Sequence, residues 1–472
     1  MDRHFGPGLR TLAAFALTAV LGGCGGTGTE TTPSPVPATS AQSATTVPPK
    51  PGLQNGEPVT PVRVINPKNV VDVVKEEVKG GEAQSGGSPF DFLWQSPDPK
   101  SISDEALTVQ PPKGLPPIIS PASNPLTKAK VELGRQLFFE PRVSLNGTVS
   151  CATCHNPNKG WTDNLKTSVG IDGQVGGRNA PSVLNSAYGK RMFWDGRAPS
   201  LEGQSQGPPQ NPIEMGKQSY KEIIGRLRTI SGYREQFQKV FGTDVTLDGF
   251  AKAIAAFERV FALSGNSAYD KYNGGDAKAL SDSQKRGMVL FGLRLSTDDD
   301  FKTDVVLKKA DCTSCHVGFN FTDEAFHNLG IGWDVKAEKF ADPGRLAIQA
   351  IGEKDPADYG AFKTPTVRDV VKTGPYMHDG SVKTLEEVVE HYNKGGHANP
   401  ALDKDMKKLN LTDQEKKDVV EFMKALTGEG PKVTLPTLPA GPDGKSPNPA
   451  DALAVPAPKV ATAGRSQPAS GQ

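Results

Sequence analysis

The sequence predicts a mainly α protein of two similar helical domains, set between a long N-terminal extension and a C-terminal tail. Three observations predict it. A Cys-x-x-Cys-His run occurs twice, as Cys151-Ala-Thr-Cys154-His155 and Cys312-Thr-Ser-Cys315-His316. A glycine-bearing apolar segment precedes each run, and a longer amphipathic segment follows each at nearly the same distance. Both chain ends are rich in Pro, Gly, Ser, Thr and Ala, with too little apolar surface to drive folding.

The 472 residues allow two or three domains, and 51 glycines with 40 prolines point to long loops. A formal net charge of +1 gives no field that would gather nucleic acid or cover an anionic surface. The opening MDRHFGPGLR carries two arginines, and the apolar run TLAAFALTAVL is too short to span a bilayer. Leu21-Gly22-Gly23-Cys24 then resembles a bacterial lipobox, which makes residues 1–24 a lipoprotein signal peptide and Cys24 the lipidated new N-terminus. An ordinary cleavable signal with an incidental cysteine is the alternative. Gly25 in place of Asp points to outer-membrane sorting, with membrane contact only through the anchor and the protein facing the periplasm.

Residues 25–121 read as a Pro/Gly/Ser-rich tether and extension, in which VVDVVKEEVK (70–79) has the pattern of a short helix. The core is expected over 122–430, as domains 122–272 and 273–430, with a disordered tail over 431–472. VELGRQLFF (131–139) and QKRGMVLFG (284–292) each place a glycine four residues before a phenylalanine, Gly134/Phe138 and Gly287/Phe291. LDGFAKAIAAFERVFALSG ends 111 residues after Cys154, and LTDQEKKDVVEFMKALTG ends 113 residues after Cys315. Both repeat apolar residues at i, i+3, i+4 and i+7 and are expected to stop at a glycine cap.

The Cys-x-x-Cys-His spacing lets two thiols reach the two vinyl groups of one porphyrin, while the adjacent imidazole meets the iron. Redox dithiols or half zinc sites are the rival reading, and zinc would need further ligands at metal spacing. Covalent haem attachment requires export, which agrees with the leader.

Longer segments carry a specific likeness: SCATCH, RNAPSVLN (178–185), FWDGRAPSLEGQ (193–204), GPPQNPIEMG (207–216), DCTSCH, AFKTPTVRDV (361–370) and GPYMHDGSVKTLEEVVEHYNKGG (374–396). On these, residues 122–430 resemble the bacterial di-haem cytochrome c peroxidase family, and within it the MauG-type di-haem oxidases. The resemblance implies two cytochrome c-like domains, each with a covalent haem c, and a calcium ion between them. It implies thioether attachment of one haem at Cys151 and Cys154 with His155 as iron ligand, and of the other at Cys312 and Cys315 with His316. Members that need reductive activation place a histidine over the first iron, in the loop before Arg-Asn-Ala-Pro. Here that loop reads GIDGQVGGRN, with Asp172 at or beside that place, so an open first iron is expected unless Asp172 or a remote residue closes it.

The resemblance further places Glu214, Gln204 and Pro208 above the first iron, with Glu214 as acid–base group and Gln204 orienting peroxide. It places Trp194 between the porphyrins as an electron relay, and Asn179, Thr373 and Pro375 on calcium. Tyr392 stands where peroxidases of the family have a methionine ligand and MauG-type proteins a tyrosine; Met377 and then His391 are the rivals. MauG-type proteins use a tryptophan two residues before the second motif, where this chain has Ala310. Trp161 reads as haem packing, and His327, His391 and His397 have no assigned task. The implied activity is use of hydrogen peroxide to oxidise a small redox protein or a protein side chain, with a homodimer possible in the family. A non-enzymatic di-haem electron-transfer cytochrome and a redox-sensing lipoprotein are the alternatives.

Overall fold

A computed structural model describes residues 102–296, 299–350 and 354–459. Cys24, the signal segment and the 70–79 helix lie outside the described residues. Among these residues there are ten α-helices. In chain order they are α1 (Lys128–Phe138), α2 (Cys151–Cys154), α3 (Leu201–Gln204), α4 (Tyr220–Arg228), α5 (Ser231–Phe241), α6 (Leu247–Phe261), α7 (Ala268–Asn273), α8 (Asp282–Phe291), α9 (Leu385–Asn393) and α10 (Asp413–Ala425). Four two-residue strands add little: β1 (Phe326–His327) pairs antiparallel with β4 (Phe362–Lys363), and β2 (Trp333–Asp334) with β3 (Lys339–Phe340).

The helices start where their sequences cap them. Thr127 accepts from the Lys130 N–H at α1, and Thr246 from the Gly249 N–H at α6. Ser281 with Gln284, and Thr412 with Glu415, form reciprocal capping boxes at α8 and α10. The expected repeat is present in three dimensions. Helix α1 packs against α6, and α8 against α10, each at a glycine with no room for a methyl group. A Cβ on Gly134 would lie 1.9 Å from the Ala253 carbonyl oxygen, and one on Gly287 would lie 1.9 Å from that of Asp418. Phe138 and Phe257 then meet at 5.2 Å between ring centroids, as do Phe291 and Phe422.

One detail differs from expectation. Helices α6 and α10 end at Phe261 and Ala425, so Gly265 and Gly428 are not their caps. The glycines instead let the two chain segments meet. Gly265 and Glu429 exchange backbone hydrogen bonds of 3.0 and 2.7 Å, and a Cβ on Gly428 would strike the Gly265 carbonyl at 2.6 Å. A second tie is the buried, bidentate pair of Arg368 with Asp270, at 2.8 and 2.9 Å.

Two further expectations are corrected. Residues 102–121 are not a loose extension ahead of the core but part of it: Ile102 and Val109 are buried, and Tyr188 donates to the Pro116 carbonyl at 2.7 Å. Residues 431–459 are not a disordered tail but an extended strap along the N-terminal half. Arg135 and Arg142 donate to the carbonyls of Thr434 (2.6 Å) and Pro439 (2.9 Å). Leu438 and Ala452 are 2% and 1% exposed, and the strap's last contact is the Lys459 N–H on the Gly173 carbonyl at 2.8 Å. Side chains of the folded half reach the strap's backbone, so the strap needs no periodicity of its own. Truncation after residue 430 is expected to destabilise the protein by at least the burial of Leu438, about 1.5–3 kcal/mol. Denaturant unfolding checks this, and an unchanged midpoint would contradict it.

Candidate active site between the two Cys-x-x-Cys-His motifs

A cavity of about 860 Å³ reaches from Cys154 and His155 to Cys312, Cys315 and His316. The four cysteines are free thiols, so neither motif is a disulfide. His155 turns Nδ1 to the Trp161 carbonyl at 3.3 Å, and His316 turns Nδ1 to the Phe321 carbonyl at 3.0 Å. A carbonyl only accepts, so Nδ1 carries the proton and Nε2 keeps the lone pair a metal needs. Burial lowers the pKa of both imidazoles, which keeps them neutral and able to ligate. Paired unlinked thiols, a neutral imidazole and a large, mostly apolar cavity are the chemistry that two haem c groups require, and the residues fit them.

The internal repeat continues around these motifs further than the helix pattern alone reveals. Trp161-Thr162-Asp163 matches Phe321-Thr322-Asp323: Thr162 donates to the Ala180 carbonyl at 3.0 Å and Thr322 to that of Thr364 at 2.7 Å. A bridge joins Met192 to Ala198 in one half and Tyr376 to Val382 in the other. Phe193 and Met377, next in each, share a left-handed backbone (φ 69° and 71°). Ser200 caps α3 as Thr384 caps α9. This constant offset makes Trp194 the counterpart of His378, and Pro208 the counterpart of Tyr392. The WTD/FTD echo is too short to stand out in the sequence without the two carbonyl contacts.

At the first motif, Gln204, Pro208 and Glu214 line the cavity. Asn211 donates to Glu214 Oε1 at 2.7 Å, and burial raises the Glu214 pKa against the opposing influence of Arg197 and Asn211. The 168–176 loop lies against the backbone that carries Glu214: the Ile171 N–H donates to the Glu214 carbonyl at 2.9 Å, and a Cβ on Gly170 would lie 2.0 Å from the Ile213 carbonyl. Asp172 is exposed, accepts from Asn146 at 3.0 Å, and does not line the cavity. A second carboxyl, Glu258 on α6, is buried in the same lining. Its signal is a charged residue one turn after Ile254, on the apolar face of α6.

Asn179 joins the two halves at the middle of the cavity. Its N–H donates to the His378 carbonyl at 2.8 Å, and its carbonyl accepts the Trp194 indole N–H at 2.9 Å. Its side-chain amide donates to the Leu165 carbonyl at 2.7 Å, which leaves Oδ1 as a free acceptor among the described residues. Thr373 and Pro375 line the same cavity, and their carbonyls accept no hydrogen bond among the described residues. Trp161 is buried against Phe138 and Phe257 and does not line the cavity.

At the second motif, Tyr392 and Met377 both line the cavity. Burial, with Cys312 and Cys315 nearby, pushes the Tyr392 phenol up, and its hydroxyl has no hydrogen-bond partner among the described residues. His391 is turned away: its Nε2 bonds the Leu329 carbonyl at 3.0 Å. Ala310 is buried at the cavity wall. His327 is held between Asp403 (2.7 Å) and Asp323 (2.9 Å), beside Cys315. That cluster belongs to the second motif rather than to a separate metal, because Cys315 is one of its two thiols.

Known proteins agree with these features. The family model for di-haem cytochrome c peroxidases matches residues 128–278. The methylamine utilization protein MauG of Methylorubrum extorquens is 40% identical over 323 residues, which span 68% of this chain and 84% of that protein. The cytochrome c551 peroxidase of Nitrosomonas europaea is 38% identical over 324 residues, spanning 67% and 86%. The crystal structure of a MauG-like protein associated with microbial copper homeostasis superposes with a TM-score of 0.59 at 34% identity, covering 67% of this chain and 95% of that one. With a paired haem-attachment chemistry built into one cavity and relatives of this closeness, the chain belongs to the di-haem cytochrome c peroxidase family and is a haem-dependent peroxidase-type oxidoreductase.

Proposed function

We propose that the chain reduces hydrogen peroxide at its first motif and draws electrons through its second from a small cytochrome or cupredoxin, or from a side chain of a protein substrate. The observation that carries this reading is the broken repeat: Pro208, with no ligating atom, stands where Tyr392 stands in the other half, and Glu214 is buried beside Pro208. One haem c is attached through Cys151 and Cys154 with His155 on its iron, the other through Cys312 and Cys315 with His316. When bound, the haems supply the iron that meets peroxide and the capacity to hold its oxidising equivalents.

The chain's own residues do the rest. Glu214 takes the proton from one peroxide oxygen and returns it to the other, which departs as water when the O–O bond breaks. Its raised pKa suits it to both transfers. Gln204 orients peroxide through its amide, and Pro208 keeps that face free of a ligand. Trp194 relays electrons between the two cytochrome c-like domains (122–272 and 273–430). Tyr392 closes the second site in preference to Met377; the backbone of Met377 is set in the turn that is repeat-equivalent to Phe193. A phenol raised by burial ionises only beside a cation such as ferric iron. Calcium would be held by Asn179 Oδ1 and the Thr373 and Pro375 carbonyls, all hard oxygen donors. The same reading includes a Cys24 lipid anchor, a periplasm-facing location and a possible homodimer. With Ala310 at the exit tryptophan's place, the oxidised partner differs from that of MauG-type proteins or docks elsewhere.

Glu214→Gln is expected to slow peroxide-driven oxidation by about 10²–10⁴-fold with both haems retained. Burial raises the Glu214 pKa above 4.5, so its proton-accepting form is lost as pH falls through a value above the ordinary carboxylate range. The wild-type rate should therefore drop on acidification there, and the variant should lack that limb. A variant with the wild-type profile contradicts the assignment. Tyr392→Met should raise the reduction potential of the second haem, as thioether sulfur does relative to phenolate. Redox titration reads it, and an unchanged potential contradicts ligation by Tyr392.

A further inference from the structure

Reduction of peroxide to two waters consumes two electrons and two protons. Glu214 moves a proton that peroxide itself brings, so it adds none. A buried site must draw both protons from elsewhere.

Glu258 is placed to hold one. Its side chain is 3% exposed, and Oε2 accepts no hydrogen bond among the described residues. It lines the cavity with Cys151, Cys154, His155, Gln204, Pro208 and Glu214. The cation next to it in sequence is already committed: Arg259 binds Glu202 through both oxygens, at 2.6 and 3.0 Å. On α1, packed against α6, the charged groups have partners of their own, Lys128 on Glu105 at 3.1 Å among them. Arg135 holds Glu132 at 2.7 Å, and the Lys130 ammonium bonds Asn124 Oδ1 at 3.1 Å and the Pro125 carbonyl. On α3 the charged group is Glu202, whose negative charge disfavours a second carboxylate. Across the cavity stand the Glu214 carboxyl and Cys151. A carboxylate buried without a counter-cation costs several kcal/mol, so Glu258 keeps its proton. Burial first, and Glu202 with it, pushes its pKa up to about 8 against the influence of Arg259.

We propose that Glu258 is a second acid of the peroxide site, the donor of a proton that Glu214 cannot supply. This rests on the peroxide-reducing reading above. In the step, the O–H bond of Glu258 breaks and an O–H bond forms on the remaining peroxide-derived oxygen; after reprotonation Glu258 passes a second proton in the same way, and that oxygen leaves as the second water. The electrons come from the donor protein, and solvent reprotonates the Glu258 carboxylate.

The test uses the holoprotein. Infrared spectroscopy should show a protonated-carboxyl stretch in Glu214→Gln that is lost in Glu214→Gln/Glu258→Gln and bleaches near pH 8 in the former. Stopped-flow mixing with peroxide and then a reductant separates the two phases. Glu258→Gln should slow the reductive phase by about 10²-fold, far more than the peroxide phase, while Glu214→Gln should do the reverse. Glu258→Asp should restore the band and the reductive phase. A Glu214→Gln holoprotein with no protonated-carboxyl band at pH 6 overturns the proposal without relying on the Glu258 variants. So does a Glu258→Gln protein with an unaltered reductive phase. If Glu214→Gln leaves the peroxide phase unchanged while Glu258→Gln slows the reductive phase, the Glu214 assignment falls and the Glu258 assignment stands.

Discussion

Everything in this fold hangs on two helix crossings too tight for a side chain. At Gly134 and at Gly287 a helix lies directly on a backbone carbonyl of its partner, 1.9 Å from where a Cβ would be. A methyl group at either point would force the helices apart. The crossings bring the Phe138–Phe257 and Phe291–Phe422 pairs together, and these aromatic clusters support the segments that carry the two Cys-x-x-Cys-His motifs. In the first half Trp161 extends the cluster and its carbonyl receives the His155 ring; in the second Phe321 does both for His316. A glycine contact thereby fixes which imidazole nitrogen faces the cavity.

On that near-symmetric frame the chemistry comes from departures. Tyr392 sits on α9, and the same position in the other half is Pro208, where the helix has already ended at Gln204. A shortened helix followed by a proline leaves no ligating side chain at this place, and Glu214 and Glu258 bring two carboxyls to the cavity from different segments. His378 is replaced by its counterpart Trp194, whose indole is fixed on the Asn179 carbonyl. Asn179 binds both counterparts through its own backbone, the indole of Trp194 on its carbonyl and the carbonyl of His378 on its N–H.

Much of this was legible in the sequence because it is local. A thiol–thiol–imidazole run needs no tertiary context to be read, and the helix pairs carry their 3.6-residue period and caps openly. Glu214, Gln204 and Trp194 were reachable only through the family likeness, since an acid after Asn-Pro-Ile reads by itself as a surface turn. The strap escaped because an extended segment has no period to detect; Leu438 and Ala452 are single anchors in a Pro-rich stretch. Glu258 escaped because its meaning lies in its neighbours: only the structure reveals that Arg259 spends its charge on Glu202. Gly170 is the same kind of case, required by the approach of a loop distant in sequence.

Electron paramagnetic resonance of the resting, fully oxidised holoprotein reads the proposed difference between the two iron sites. A high-spin ferric signal from the first haem is expected beside a second ferric species with oxygen ligation. Two low-spin signals, each with nitrogen or sulfur on both faces of the iron, would contradict it.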